Sequence, residues 1–286
     1  MPTVLVVTAH GDDMEFFAGG TISKLCMLGY DVHLLMATDN ARGTFELSAE
    51  QMFGLRLREA EAAAKVLGLR SVSCLDYPDG NLCDTPHTTL RGQFMEAIRR
   101  LRPDIVFTFD PWAPYEGHPD HRAVSWAAME AASFSHFPLY YPEQLAAGLA
   151  PFYVPETYFF AKSPIDVNRP VDISGEAIER KIAALYCYDS QMVLTLADVQ
   201  YAVQSAPYDV PEVTGLDPHD YRGFIDNRVR TTARIIGKKY GFEYGEHFRR
   251  VRWGGTERMA GPGVCQRKGF REEEAPDCFI AESPAP

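Results

Sequence analysis

Apolar runs of strand character alternate with helix-spaced segments along the first half of the chain. Residues 3–8, TVLVVT, are a continuous β-branched run of the kind found in strands buried on both faces. Residues 18–29 then show helical spacing and close on Gly29, and DVHLLMAT at 31–38 resumes strand character, completing one βαβ unit. The grammar repeats. A segment rich in Glu, Ala, Leu and Arg from Ser48 to Gly68 predicts a helix, SVSCLDY at 71–77 a third strand, residues 89–101 a helix, DIVFTF at 104–109 a fourth strand, and 121–132 another helix. This alternation predicts an α/β fold with a mostly parallel sheet and helices on both faces.

Beyond about residue 135 the pattern breaks, because aromatics and prolines crowd 134–170. ETYFFA at 156–161 reads as a further strand, and helices are expected at 174–187 and 222–240. The expected organisation is one domain over 1–250, with a regular core at 3–135 and a less regular part at 136–250. Residues 251–286, rich in Gly, Pro and charge, read as an irregular extension.

Composition narrows the function. A chain of 286 residues with 46% apolar content can bury a substantial core. No apolar run approaches the roughly 18 residues of a membrane span, and the start lacks secretory-signal features, so a cytoplasmic location is expected. Six cysteines lie scattered without CxxC spacing, which argues against a thiolate zinc site; most are expected to be small buried apolar residues. A net charge of -11 disfavours unassisted binding to nucleic acid or an anionic membrane, and points to a small neutral or cationic substrate.

Open α/β sheets bind ligands beyond the carboxyl ends of their strands. The loop after the first strand is His10-Gly11-Asp12-Asp13-Met14-Glu15, and the loop after the fourth is Tyr115-Glu116-Gly117-His118-Pro119-Asp120-His121. Catalytic zinc takes three nitrogen or oxygen ligands and leaves a position for water. His10, Asp13 and His121 supply that set, with Asp12 as general base. His118, three residues before His121 at a helix start, can face the same pocket; protonated, it would stabilise an oxyanion, with Asp120 orienting it or raising its pKa. Alone, an HxxH at a helix start is more often exposed or capping, and an Asp-Asp pair more often an N-cap with a solvated neighbour. Their joint occurrence after strands of one sheet favours the metal.

These residues resemble the LmbE-like, or PIG-L-type, zinc-dependent N-deacetylases, whose motifs read AHPDDE and HPDH. Here they stand as Ala9-His10-Gly11-Asp12-Asp13-Met14 and His118-Pro119-Asp120-His121, with Gly19-Gly20-Thr21, Arg56, Glu59, Leu67-Gly68 and Asp79-Gly80 in register. The resemblance covers about residues 3–135, with fainter echoes at Lys181, Ser190-Gln191 and Glu246. It implies a Rossmann-like, LmbE-like fold and removal of an N-acetyl group, commonly from an N-acetylglucosamine unit joined to another moiety. It implies the same roles as the chemistry: zinc on His10, Asp13 and His121, a base at Asp12 and an electrostatic partner at His118. Arg56 and Asp79 match positions that contact the sugar or its aglycone in such enzymes, which are often homo-oligomers.

Two departures stand out. Gly11 replaces the proline and is expected to loosen the loop, and Met14 replaces the acidic residue unless Glu15 compensates. Glu116 would oppose an oxyanion unless protonated or turned away, which leaves Tyr115 as the candidate support there. Trp112 is the aromatic best placed to line a sugar site. His33, His87, His136, His219 and His247 lack partners at ligand spacing and read as structural or surface residues. Two alternatives stay open: an amidase acting on a bulkier N-acyl or thiol-conjugate substrate, and a metabolite-binding protein that has lost turnover.

Overall fold

Along the first half, strands and helices alternate as β1 (Thr3–Thr8), α1 (Asp13–Met27), β2 (Asp31–Thr38), α2 (Ala49–Met52), α3 (Leu55–Leu67), β3 (Ser71–Tyr77), α4 (His87–Leu101), β4 (Ile105–Phe109) and α5 (Pro119–Phe134). The second half adds α6 (Pro142–Ala146), β5 (Glu156–Phe160), β6 (Arg169–Asp172), α7 (Glu176–Leu185), α8 (Asp189–Gln204), α9 (Pro211–Thr214), α10 (Arg222–Tyr240) and β7 (Gly245–Arg252). The computed structural model describes residues 1–52, 54–207 and 209–254.

The seven strands follow the order β3-β2-β1-β4-β5-β7-β6. The first five are parallel, and β7 runs antiparallel to both β5 and β6. Helices α1, α3 and α7 pack together, and α4 packs on α5. Val4, Leu5, Val6 and Val7 are fully buried at the middle of the sheet, which explains why β1 reads as an unbroken apolar run. The order reverses between β1 and β4, so the chain leaves these neighbouring strands in opposite directions across the sheet. A crevice opens there, flanked by the loops after both strands. Hydrogen bonds from Thr8 Oγ1 to the His10 carbonyl and from Thr38 Oγ1 to the Ala9 carbonyl, both 2.9 Å, fix the first of these loops to the sheet.

Strands expected at 3–8, 31–38 and 71–77 have the predicted bounds, and β4 and β5 fall within one residue of theirs. The helix expected from residue 18 begins at Asp13, because the polar loop residues already wind its first turn. The single helix expected over 48–68 is broken at Gly54, whose φ of +69° lies in the left-handed region and starts α3 anew. Strands β6 and β7 and helix α8 had no sequence prediction. β7 reads GEHFRRVR, and two of its three arginines are paired with carboxylates, Arg249 with Asp110 and Arg252 with Glu156 at 2.8 Å. This strand runs two residues past the expected boundary at 250, and 255–286 of the expected extension lie outside the described residues. Of the described cysteines, Cys26, Cys74 and Cys187 are half-buried and Cys83 is exposed, so none is the fully buried residue expected. No helix among the described residues is long and apolar enough to cross a membrane.

The position of α1 rests on a buried ion pair. Lys181 Nζ on α7 donates to Glu246 Oε1 on β7 at 2.6 Å and to the Phe16 carbonyl at 2.9 Å. Glu246 in turn accepts from the Gly20 and Thr21 amides and from Thr21 Oγ1, at 3.0, 2.8 and 2.6 Å. A Cβ at Gly20 would lie 2.8 Å from three side-chain atoms of Ile173, so the Gly-Gly-Thr run lets the helix seat closely. Removing one partner of such a pair strands a buried charge. Glu246→Ala is expected to lower unfolding free energy by about 3–5 kcal/mol, read from denaturant titration; a loss below about 1 kcal/mol would show that the pair does not anchor α1.

Candidate active site

Asp12 precedes α1 with φ -89° and ψ -11°, and its side chain does not cap the helix. Asp13 opens the helix and accepts from the His10 amide at 2.7 Å, closing the loop on itself. On the other side of the crevice, His118 takes the N-cap of α5, its Nδ1 accepting from the Asp120 amide at 3.2 Å, and Pro119 occupies the first turn. His121 follows one turn on, its ring stacked on Phe109 at 4.1 Å and on His118 at 4.6 Å.

Three donors converge. His10 Nδ1 lies 3.2 Å from His121 Nε2, His121 Nε2 lies 3.2 Å from Asp13 Oδ1, and His10 Nδ1 lies 3.5 Å from Asp13 Oδ2. The opposite ring nitrogens face carboxylates: His10 Nε2 is 3.2 Å from Asp79 Oδ1 and 3.5 Å from Asp120 Oδ2, and His121 Nδ1 is 3.2 Å from Glu116 Oε2. Two overlapping sets bring one donor each within 4.8 Å of one another, namely His10 with His118 and His121, and His10 with Asp79 and Asp120. His10 is common to both, and the cluster has the composition to hold a metal ion.

Electrostatics follow from this packing. Burial opposes ionisation of Asp13, but the charges of His121 and His10 prevail and hold it far below the usual carboxylate range. Burial likewise opposes ionisation of Asp79 and Asp120, and the hydrogen bond from His10 leads the effects that pull both down. Glu116 is drawn down to about 2: burial opposes this, while His121, the His118 amide and Lys162 outweigh it. Asp12 moves the other way, raised by burial and then by the negative charge of Asp13, with Arg56 partly offsetting both.

Several expectations need correcting. His118 is not the protonated group foreseen: burial first, then the charges of His10 and His121, push it down to about 4. Asp120 does not orient His118 through its carboxylate, which accepts from the Gly80 and Leu82 amides at 2.6 and 3.1 Å; its backbone amide holds His118 instead. Glu116 is ionised but turned away, facing His121, the His118 amide and Lys162. Arg56 is only 2% exposed, donating to the Gly43 carbonyl at 2.7 Å beside Glu59, and so braces a loop from behind. Trp112 packs on Trp126 and Phe159 beneath Arg249, away from the crevice, and Tyr115 is 93% exposed.

The departures at 11 and 14 also have a structural reading. Met14 is fully buried in the core, while Glu15, buried beside it, meets the Tyr188 hydroxyl at 3.1 Å. That hydroxyl also donates to the Gly11 carbonyl. A Cβ at Gly11 would stand 2.9 Å from Tyr188 Cε1, so the loop is not loosened by the glycine; the tyrosine ring fills the space.

A cavity of about 850 Å³ opens from this cluster. His10, Asp12, Asp13, Asp79, His118 and His121 line its floor, and Arg42 after β2, Gln191, Leu194, Thr195 and Asp198 on α8, and Arg228 on α10 line its walls. Of these wall residues only Gln191 carried any sequence signal, because the others lie in segments without a motif. His247, read from the sequence as structural or surface, also borders the cavity.

A doubly wound sheet here gathers histidines and carboxylates at its switch point, with the further carboxylate of Asp12 beside them, a donor set whose composition suits a cation. The chain belongs to the PIG-L, or LmbE-like, deacetylase family, and residues 5–132 match the family profile described as GlcNAc-PI de-N-acetylase. It is 35% identical over 252 residues to a diacetylchitobiose deacetylase of Thermococcus kodakarensis, covering 87% of this chain and 82% of that one. It is 29% identical over 233 residues to a 1D-myo-inositol 2-acetamido-2-deoxy-alpha-D-glucopyranoside deacetylase of Mycobacteroides abscessus, covering 67% and 82%. Its fold superposes on the inhibitor-bound N,N'-diacetylchitobiose deacetylase of Pyrococcus horikoshii with a TM-score of 0.71 and 30% identity, over 92% of this chain and 87% of that one.

The His118 environment is directly measurable. In the metal-free protein its ring is expected to titrate at about 4, so that it is neutral above that pH and charged only below. An NMR titration assigned with His118→Gln would contradict this geometry if the midpoint fell at or above the ordinary histidine value of about 6.5.

Proposed function

We propose that the protein is a zinc-dependent N-deacetylase that hydrolyses the acetamido group of an amino sugar or N-acetylglucosamine conjugate. The observation that carries this reading is the arrangement around His10, Asp13 and His121. Donors at tetrahedral zinc, with bonds of about 2.0–2.1 Å, stand about 3.3 Å apart; His10 Nδ1 and His121 Nε2 are 3.2 Å apart, and the Asp13 carboxylate faces both, its Oδ1 3.2 Å from His121 and its Oδ2 3.5 Å from His10. Ligating histidines keep their other ring nitrogen on a carboxylate or carbonyl. Asp79 and Asp120 face that nitrogen of His10, and Glu116 faces that of His121. His118 is the poorer ligand because its Nδ1 is already engaged by the Asp120 amide.

When bound, zinc supplies Lewis-acid polarisation of the amide carbonyl and acidifies the attacking water. Asp12 borders the cavity beside Asp13 and takes the proton as the water oxygen bonds to the carbonyl carbon. With Nδ1 of His118 accepting, the neutral ring carries its proton on Nε2, which donates to the carbonyl oxygen as charge builds there. Asp12 then returns its proton to the departing nitrogen, the carbon–nitrogen bond breaks, and acetate and a free amine leave. Asp120 serves as a positioning residue through its amide on His118 and its carboxylate beside His10. Asp79 does the same for His10, and its exposure to the cavity also suits it to a sugar hydroxyl. Arg56 supports the wall and the ionised Asp12 rather than touching the sugar.

Two variants separate chemistry from metal binding. Asp12→Asn is expected to lower acetate release from N-acetylglucosamine conjugates roughly 100- to 10,000-fold with zinc content unchanged by elemental analysis. His121→Ala is expected to lose the metal itself. Chelation is expected to abolish turnover and zinc to restore it; an Asp12→Asn enzyme at full rate, or a chelated protein as active as before, would refute the scheme.

A further inference from the structure

We propose that Phe45 and Tyr201 form an outer carbohydrate platform at the mouth of the cavity, which receives a distal pyranose ring of a β-linked N-acetylhexosamine oligosaccharide. This rests on the deacetylase reading and concerns which substrates the same site prefers. Both rings are large and exposed, Phe45 to 61% and Tyr201 to 66%, yet they are ordered against each other, stacked with centroids 6.0 Å apart and an angle of 14° between planes. Rings serving only the core would be covered. These instead keep apolar faces toward solvent.

Their location follows from two segments that run outward together. On α8, Gln191, Leu194, Thr195 and Asp198 share the face that lines the cavity, and Tyr201 continues that stripe by one more turn. From Gln191 to Tyr201 the helix advances about 15 Å, which is room for linked sugar rings rather than one. The loop after β2 follows the same path. A Cβ at Gly43 would lie 3.2 Å from Gln191 Oε1 and 3.3 Å from Leu194 Cδ2, Phe45 stacks on Tyr201, and Glu46 pairs with His219 at 3.2 Å. Thr44 Oγ1 accepts from the Glu46 and Leu47 amides at 3.1 and 3.0 Å, a tight turn that presents Phe45.

The chemistry of the path selects the occupant. A pyranose offers an apolar face of C–H groups and a rim of hydroxyls. The wall provides Gln191, Thr195, Asp198 and Arg42 for the hydroxyls, and the ring pair for the apolar face. The patch is two rings wide and bounded by the polar Glu46–His219 contact, a poor surface for burying a long alkyl chain.

The test compares kcat/KM for acetate release from N-acetylglucosamine and its β-1,4-linked di-, tri- and tetrasaccharides, with a long-chain alkyl N-acetylglucosaminide alongside. The zinc-loaded parent is expected to improve with chain length. Phe45→Ala/Tyr201→Ala is expected to lose about tenfold on the longest substrate, chiefly in KM, and nothing on the monosaccharide, whereas Phe45→Tyr keeps the gain. A flat length profile in the parent, an equal loss at every length, or a gain confined to the alkyl glycoside would overturn the platform while leaving the deacetylase reading intact. Absence of acetate from every substrate would remove that reading, and the platform with it.

Discussion

His10 sits between two sets of carboxylates, and the rest of the site is arranged around that fact. Its Nδ1 faces Asp13 and His121, and its Nε2 faces Asp79 and Asp120. With a cation bound in place of its second proton, the ring would keep the remaining one on Nε2, against Asp79 and Asp120, and turn the Nδ1 lone pair toward the cluster. The four partners come from α1, α5 and the loop after β3, so one ring ties together three separate parts of the fold. His121 repeats the arrangement with Glu116 behind it. Two histidines set in this way define a direction as well as a site.

That direction is held by elements distant from the crevice in sequence. Glu246 on β7 and Lys181 on α7 grip α1 from 226 and 165 residues away, at Gly20 and at Phe16. Helix α8 contributes Ser190, whose amide and hydroxyl bind the Glu59 carboxylate at 2.9 and 2.7 Å and so join α8 to α3. The irregular second half is therefore the clamp of the regular first half, besides forming the cavity wall.

The regular half was readable because burial on both faces leaves an unambiguous record: Val4 to Val7 have no polar alternative, and neither do Leu34 to Ala37. The metal-competent cluster was readable for a different reason. Its members lie at strand ends, where parallel topology brings loops together regardless of their separation in sequence, so His10, Asp13 and His121 could be grouped without coordinates. What escaped were groups whose meaning depends on what they touch. The charge state of His118 depends on two neighbouring rings, the orientation of Glu116 on His121, and the depth of Arg56 on the loop that covers it. Strand β7 escaped because Arg249 and Arg252 satisfy carboxylates on neighbouring elements instead of following a solvent-facing alternation. Tyr115 and Trp112 were placed by proximity in sequence to the metal loop, but the chain turns outward there: Tyr115 has a φ of +62° and points to solvent.

The contact between Gly11 and Tyr188 makes two positions 177 residues apart into a single unit of inheritance. A side chain at 11 needs the volume that the Tyr188 ring occupies, and a smaller residue at 188 would leave a void behind the aspartate loop along with a stranded Glu15. Neither position is free to drift alone. A lineage that exchanged the glycine for proline would have to reshape the start of α8 in the same step, and with it the helix that walls the cavity, so changes in the aspartate loop and in the cavity wall would arrive together.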